Sequence, residues 1–248
     1  MEEHRLRVVL FDLGNTLFCF DGDWEQVLED CDRAIARFLL STGLAINEEE
    51  FLRHFTKRLN LYFQDRETDF IEHTTGKVLQ DTLAEMGFTT LPLPVQRAAL
   101  SAYYAISEAH WILEDDAVAM LQELRQGGYH LALVSNASDA QDVFTILKRA
   151  QLTEYFEKII ISAEVGIRKP HPRIFQLALD AFNVFPRQAV MVGDTLGADI
   201  LGANNLGITS VWITRRDSQA DAATFGTFIQ PTFKIANLAE LPSVLQKL

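Results

Sequence analysis

The sequence predicts an α/β protein: a doubly wound, Rossmann-like parallel sheet that carries a small all-helical cap. Three observations predict it. Short apolar runs without strict alternation recur along the chain, as in strands buried on both faces. Amphipathic segments of helical period lie between them. After the first run, the interval from about Phe20 to about Leu113 reads as helix throughout.

The first run is Val8–Phe11. Asp23–Leu40 follows, with Trp24, Val27, Leu28, Cys31, Ile35 and Phe38 at three- and four-residue steps, one face of a helix. Asn47-Glu48-Glu49-Glu50 has the form of a capping box and opens a helix with Phe51, Leu52, Phe55 and Leu59 on one side. Val78–Met86 and Val95–Ala109 complete the inserted helices. Strand and helix then alternate through Ala117–Gln126, Leu131–Ser135, Ala140–Ala150, Lys158–Ser162, Pro172–Phe182, Ala189–Val192, Asp199–Asn205 and Ser210–Ile213. Gly127-Gly128 and Gly207 stand where helices stop, and Pro172 where one starts. Residues 1–19 and 112–248 are expected to form the core, and 20–111 the cap. An insert after the first strand lies near the carboxyl edge of the sheet, where open α/β sheets bind ligands, so it is placed to act as a lid.

Composition narrows the partners. The 248 residues are 48% hydrophobic and 23% charged, an ordinary globular mixture. Lys and Arg number 22 against 34 Asp and Glu, a formal charge of −12. So acidic a surface repels phosphate backbones and anionic lipid, which argues against nucleic acid and membrane partners and leaves small metabolites and divalent cations. No apolar run approaches the ~20 residues of a membrane helix. Cys19 and Cys31 form no disulfide framework, and the first residues run into a strand without the apolar stretch of a signal peptide. A cytoplasmic enzyme is the expectation. The oligomeric state is left open.

Polar residues close the strands in a consistent way. Val8–Phe11 delivers Asp12, Leu131–Val134 delivers Ser135 and Asn136, and Val190–Gly193 delivers Asp194. Lys169 precedes the helix that starts near Pro172, and Asp199 follows Asp194 closely. At each strand end alone, Asp, Ser or Asn reads as a turn or cap residue. A parallel sheet brings these ends onto one rim, however, and the carboxylates of Asp12 and Asp194 would repel there unless a cation lay between them. With hard oxygen ligands and no Cys/His set, Mg²⁺ is the natural filler. A cation, a lysine and a hydroxyl around one point clamp a tetrahedral dianion such as phosphate. A carboxylate beside them can attack phosphorus.

Four segments in order carry a resemblance: Phe11-Asp12-Leu13-Gly14-Asn15-Thr16-Leu17, Val134-Ser135-Asn136, Arg168-Lys169-Pro170 and Gly193-Asp194-Thr195-Leu196-Gly197-Ala198-Asp199. They are similar to the motifs of the haloacid dehalogenase superfamily of hydrolases, over nearly the whole chain. Gly202-Ala203 and Ile235-Ala236-Asn237-Leu238 are also similar to its phosphatases. The resemblance implies a Mg²⁺-dependent phosphomonoesterase acting on a small phosphorylated metabolite. It makes Asp12 the nucleophile, with Thr16 and Asn136 orienting it and the transferring group. Ser135 donates to a phosphoryl oxygen and Lys169 offsets charge. Mg²⁺ is held by Asp12, the Gly14 backbone carbonyl, Asp194 and Asp199, the last through water or by holding Lys169.

The chain departs from that pattern at Gly14, where such phosphatases carry a second Asp as general acid and base. Loss of such a group typically removes about 10²–10⁴-fold in rate. Asn15, next to it, stands where a left-handed residue is needed, which Asn tolerates. Three readings follow. A phosphatase could act on a good leaving group or borrow an acid, Asp21 and Asp23 being nearest in sequence. A carbon–heteroatom hydrolase comes second: a phosphonate hydrolase would need a cap lysine such as Lys57 or Lys77, and a haloacid dehalogenase would tend to lose Gly193-Asp194. A non-catalytic phospho-ligand binder comes last. Arg53, Lys57 and Arg58 on a cap helix read as a solvated face. His171 reads as a surface residue of a first turn. Phe51, Phe55, Tyr62 and Phe63 read as cap core, with room for one ring to line the pocket.

Overall fold

A computed structural model describes residues 6–89, 91–216 and 228–248, with the side chain of Glu67 outside the description. Six parallel strands form the main sheet. In chain order they are β1 (Val8–Phe11), β4 (His130–Ser135), β5 (Lys158–Ile161), β6 (Ala189–Gly193), β7 (Thr209–Ile213) and β8 (Phe233–Ile235). Their spatial order is β5-β4-β1-β6-β7-β8, with Val8 paired to His130 on one side and Ala189 on the other. The chain moves outward from β1 in both directions, which makes the sheet doubly wound.

Alternate residues of each strand go to opposite layers. Val9, Phe11, Leu131, Leu133, Val190 and Val192 pack with helices α5 (Ala117–Gln126) and α6 (Ala140–Arg149) and with the closing turn Leu241–Leu245. Val8, Leu10, Ala132, Val134, Ala189 and Met191 pack with α8 (Pro172–Phe182), which follows the single turn α7 (Ser162–Val165), and with Ala203 of α9 (Leu201–Leu206). Both faces are apolar because both are covered, hence the unalternated runs in the sequence. Gly202 allows a close approach of two helices: a Cβ there would lie 2.4 Å from the Phe175 ring.

Among the described residues, four helices lie between residues 20 and 111: α1 (Trp24–Ser41), α2 (Glu48–Asp69), α3 (Thr75–Glu85) and α4 (Leu93–Glu108). They share a separate apolar cluster that includes Val27, Cys31, Ile35, Phe51, Phe55, Leu79, Leu100 and Tyr103. Asn47 caps α2 by accepting from the Glu50 N–H at 2.9 Å, and Asp23 caps α1 from Gln26 N–H at 3.0 Å. No helix among the described residues is long and apolar enough to cross a membrane.

Three strands go beyond the sequence reading. β2 (Phe18–Phe20) and β3 (Trp111–Leu113) pair antiparallel, Phe20 opposite Trp111, so the chain enters and leaves the bundle through one ribbon. β8 adds a sixth strand. The helix expected at Asp199–Asn205 starts earlier and differently: Leu196–Ile200 is a π-helical turn and α9 follows at Leu201. A π turn is a frequent feature of functional sites because it re-aims a side chain. Here it turns Asp199 inward.

Candidate active site

The rim is assembled by strand ends. The Asp12 N–H donates to Val192 O at 2.9 Å, extending the β1–β6 ladder by one residue. Beyond it Asn15 adopts φ 55°, the left-handed conformation expected there. Lys169 Nζ lies 2.5 Å from Asp12 Oδ1 and 2.7 Å from Asp199 Oδ1, its side chain 1% exposed. Asp199 Oδ2 accepts the Thr195 N–H at 3.0 Å. A Cβ on Gly193 would lie 2.3 Å from the Asp199 carboxyl, so only glycine lets that carboxyl seat against β6. Thr195 Oγ1, at 3.3 Å, is the side-chain donor to Asp194 among the described residues.

Asp12, Asp194 and Asp199 each present a carboxylate oxygen, all within 4.8 Å of one another. At that spacing each like-charge pair costs about 3 kcal/mol in a partly screened interior. One ammonium faces three carboxylates. Burial, then the charges of Asp12 and Asp199, push the Asp194 carboxyl well above the usual range. Burial pushes Asp199 up to about 6 against the pull of Lys169. Burial drags Lys169 down, yet Asp12 and Asp199 together carry its pKa above the ordinary value. Three crowded hard-oxygen donors, one with no cationic partner among the described residues, suit a divalent cation.

A stability test follows from these shifts. A carboxyl whose pKa is raised in the folded state stabilises it fully below the unfolded value near ~4 and loses that contribution as pH rises through the folded value. In a chelator, the Tm should therefore fall from about pH 4 to beyond about pH 6 as Asp199 and Asp194 ionise. Asp32 of α1, which burial also pushes up to about 6, adds a slope of the same sign that no cation at the rim affects. Scanning fluorimetry with EDTA or Mg²⁺ checks it: the Mg²⁺ shift should be larger at about pH 7.5 than at about pH 5. Equal shifts would rule out a cation at these carboxylates.

The rim opens into a cavity of about 880 Å³ between sheet and bundle. Ser135 and Gly14 line it. Asn136 lines it too, but its amide works on Lys169: Oδ1 accepts the Lys169 N–H at 2.8 Å and Nδ2 donates to its carbonyl at 3.0 Å. The side chain thus ties down the backbone of the lysine that pairs with Asp12. Thr16 is fully buried beneath the Asp12 turn, with Oγ1 making no hydrogen bond. Phe63 is the one ring of the aromatic stripe that lines the cavity; Phe51 and Phe55 are bundle core, and the Tyr62 hydroxyl donates to Glu72.

The other sequence candidates lie elsewhere. Asp23 is spent on the α1 cap, and Asp21 is exposed, outside the cavity. Lys57 and Arg53 line a separate hollow on the bundle, Lys77 pairs with Asp81 at 2.5 Å, and Arg58 pairs with Glu85 at 2.6 Å. The only lysine lining the cavity among the described residues is Lys169. His171 caps α8, its Nδ1 accepting from Arg173 N–H at 3.2 Å.

Two features escaped the sequence. Asp142, on α6, lines the cavity with an Oδ1 that has no hydrogen-bond partner; burial, then Glu108 and Asp139, push its carboxyl well up. Glu72, in the turn from α2 to α3, reaches the core. Its wholly buried carboxylate lies 3.2 Å from Arg168 and accepts from Ser162 Oγ at 2.6 Å. Backbone bonds from Glu72 N–H to Gly166 O and from Arg168 N–H to Phe70 O, both 3.0 Å, stitch the same segments. Only residues distant in sequence meet here, so no local pattern announces them. Glu72→Ala would strand Arg168 without its counter-charge and should cost about 3–5 kcal/mol in a urea melt, against under about 1 kcal/mol for exposed pairs such as Arg33–Glu29.

Known proteins share this architecture. A chain from Pseudomonas syringae, solved as a 2-haloacid dehalogenase, superposes with a TM-score of 0.69 at 23% identity, covering 98% of this chain and 99% of that one. A glyceraldehyde 3-phosphate phosphatase of Pyrococcus furiosus is 44% identical over 208 residues, 84% of this chain and 80% of its own. The Methanopyrus kandleri protein of that name is 29% identical over 245 residues, 98% of both chains. The family model of haloacid dehalogenase-like hydrolases matches residues 6–207. On that match, and on the rim its motifs build, this chain belongs to the haloacid dehalogenase-like hydrolases.

Proposed function

We propose that the chain is a Mg²⁺-dependent phosphomonoesterase that acts on a small phosphorylated metabolite. The observation that carries this reading is Lys169 bridging Asp12 and Asp199, with the Asp194 carboxylate alongside. The phosphatase names of the relatives in Pyrococcus and Methanopyrus support it. The likeness to the dehalogenase speaks to the fold alone.

Asp12 is the nucleophile. Lys169 pairs with it and offsets the charge of the incoming phosphoryl group, while Asn136 fixes the lysine backbone and Thr16 packs under the turn. Ser135 donates to a phosphoryl oxygen. Asp12, Asp194, Asp199 and the Gly14 carbonyl would hold Mg²⁺, which when bound supplies Lewis-acid polarisation and balances the crowded charge. Residues 20–111 act as a cap over a core of 1–19 and 112–248, closing the cavity to bulk water.

The test is a screen of phosphorylated metabolites, phosphonates and haloacids with phosphate and halide readouts. Phosphate release that needs Mg²⁺ and stops with EDTA is expected. Halide release that survives chelation would overturn the reading. A melting shift with phosphate but no turnover would replace it with a phospho-ligand binder.

A further inference from the structure

We infer that the phosphoester cleaved here carries an aryl leaving group, with Trp111 as the platform for its ring; the inference rests on the phosphatase reading above. Gly14 stands two residues beyond Asp12, and a Cβ on it would lie 3.0 Å from Trp111 Cη2 and 3.4 Å from Cζ3. The flank of the nucleophile at that position is therefore carbon. The Trp111 ring is braced edge-on by Phe20, with centroids 5.1 Å apart, and by Trp24 at 6.3 Å. Trp24 lines the cavity as well and is 46% exposed, so part of the aromatic wall is free to meet a ligand.

The Gly14–Trp111 flank offers no proton to a departing oxygen. No histidine or glutamate lines the cavity among the described residues. Lys169, Asp194 and Asp199 are engaged with one another and with Asp12 at the rim. Asp142 lines the cavity from the first turn of α6, its Oδ1 without a hydrogen-bond partner, and is no part of the turn that follows Asp12. Tyr103 and Tyr104 pack into the bundle core, the latter with its hydroxyl on Thr75 Oγ1 at 2.6 Å. Arginines such as Arg168 do not give up protons near neutrality.

An alkoxide leaving without a proton forfeits the acid's contribution of about 10²–10⁴ in rate. A phenolate spreads its charge over the ring and needs none. The step balances on that footing. An Asp12 oxygen bonds to phosphorus, and the ester P–O bond breaks with its electron pair on the aryl oxygen. The phenolate takes its proton from bulk water afterwards. Water then cleaves the aspartyl phosphate, regenerating the Asp12 carboxylate and releasing inorganic phosphate. The departing ring meanwhile stacks on Trp111, a contact whose geometry adds to simple burial.

The experiment measures kcat/KM for 4-nitrophenyl, phenyl and propyl phosphate in the Mg²⁺-loaded protein, wild type, Trp111→Leu and Trp111→Phe. The wild type should favour 4-nitrophenyl over phenyl, and phenyl over propyl by about 10²–10⁴-fold. Trp111→Leu should raise KM for phenyl phosphate about tenfold more than it raises KM for propyl phosphate. Trp111→Phe, the more conservative variant, should recover part of the preference. Equal rates for propyl and phenyl phosphate, or equal losses on both in the variants, would overturn the inference and leave the phosphatase reading standing. Release of phosphate from none of the three, with a metabolite turned over elsewhere in the screen, would also overturn it. Failure of every ester would remove the phosphatase reading itself.

Discussion

Asp12→Asn should reduce phosphate release by about 10⁴–10⁶-fold while the protein stays folded. An amide is isosteric with the carboxylate but does not attack phosphorus. It also removes one of three crowded negative charges, so the metal-free fold should gain stability even as turnover vanishes. The two effects move in opposite directions, which separates a lost nucleophile from a damaged structure. Single-turnover phosphate release and a thermal melt in EDTA check both. Activity within about tenfold of wild type would remove Asp12 from the reaction.

Lys169→Met should be the most disruptive single change at the rim. The lysine is buried between Asp12 and Asp199 at 2.5 and 2.7 Å. Removing one partner of a buried ion pair costs about 3–5 kcal/mol because the other charge stays behind. Here two carboxylates are left, with Asp194 beside them. In EDTA the Tm should drop sharply near neutral pH and recover as carboxyls protonate on acidification. Mg²⁺ should restore more stability than it gives the wild type, since it enters a site with one cation fewer. Turnover should remain abolished with Mg²⁺, as the ammonium no longer faces the nucleophile. A variant that melts like the wild type in EDTA would show that the lysine does not balance these charges.

The core of this design was legible because it is written in local signals. Unalternated Val, Leu and Ile runs marked β1, β4, β5, β6 and β7, and each polar terminus marked a rim residue. The bundle showed in its three- and four-residue steps, such as Val27, Cys31 and Ile35. What the chain concealed is long-range. β2 and β3 are three residues each, too short to show a period, and exist because Phe18–Phe20 finds Trp111–Leu113 across the bundle. The Glu72–Arg168 pair joins isolated polar residues that look like ordinary turn and loop chemistry. The π turn at Leu196–Ile200 has no pattern of its own in the sequence, where helical period shows only from Asp199 onward. The glycine at position 14 was visible as a departure, but the indole pressed against it was not, because Trp111 falls at the far end of the insert.

The paired ribbon has an architectural consequence. Phe20 and Trp111 stand opposite each other on the paired strands, so everything strung between them begins and ends at a single point on the core. That excursion can change in length without changing strand order, so long as the tie of Glu72 to Arg168 and Ser162 is kept. The scaffold thus separates two kinds of evolutionary change. Recognition can be rewritten within the module, while the rim carboxylates and lysine stay anchored at strand ends and the turns beside them.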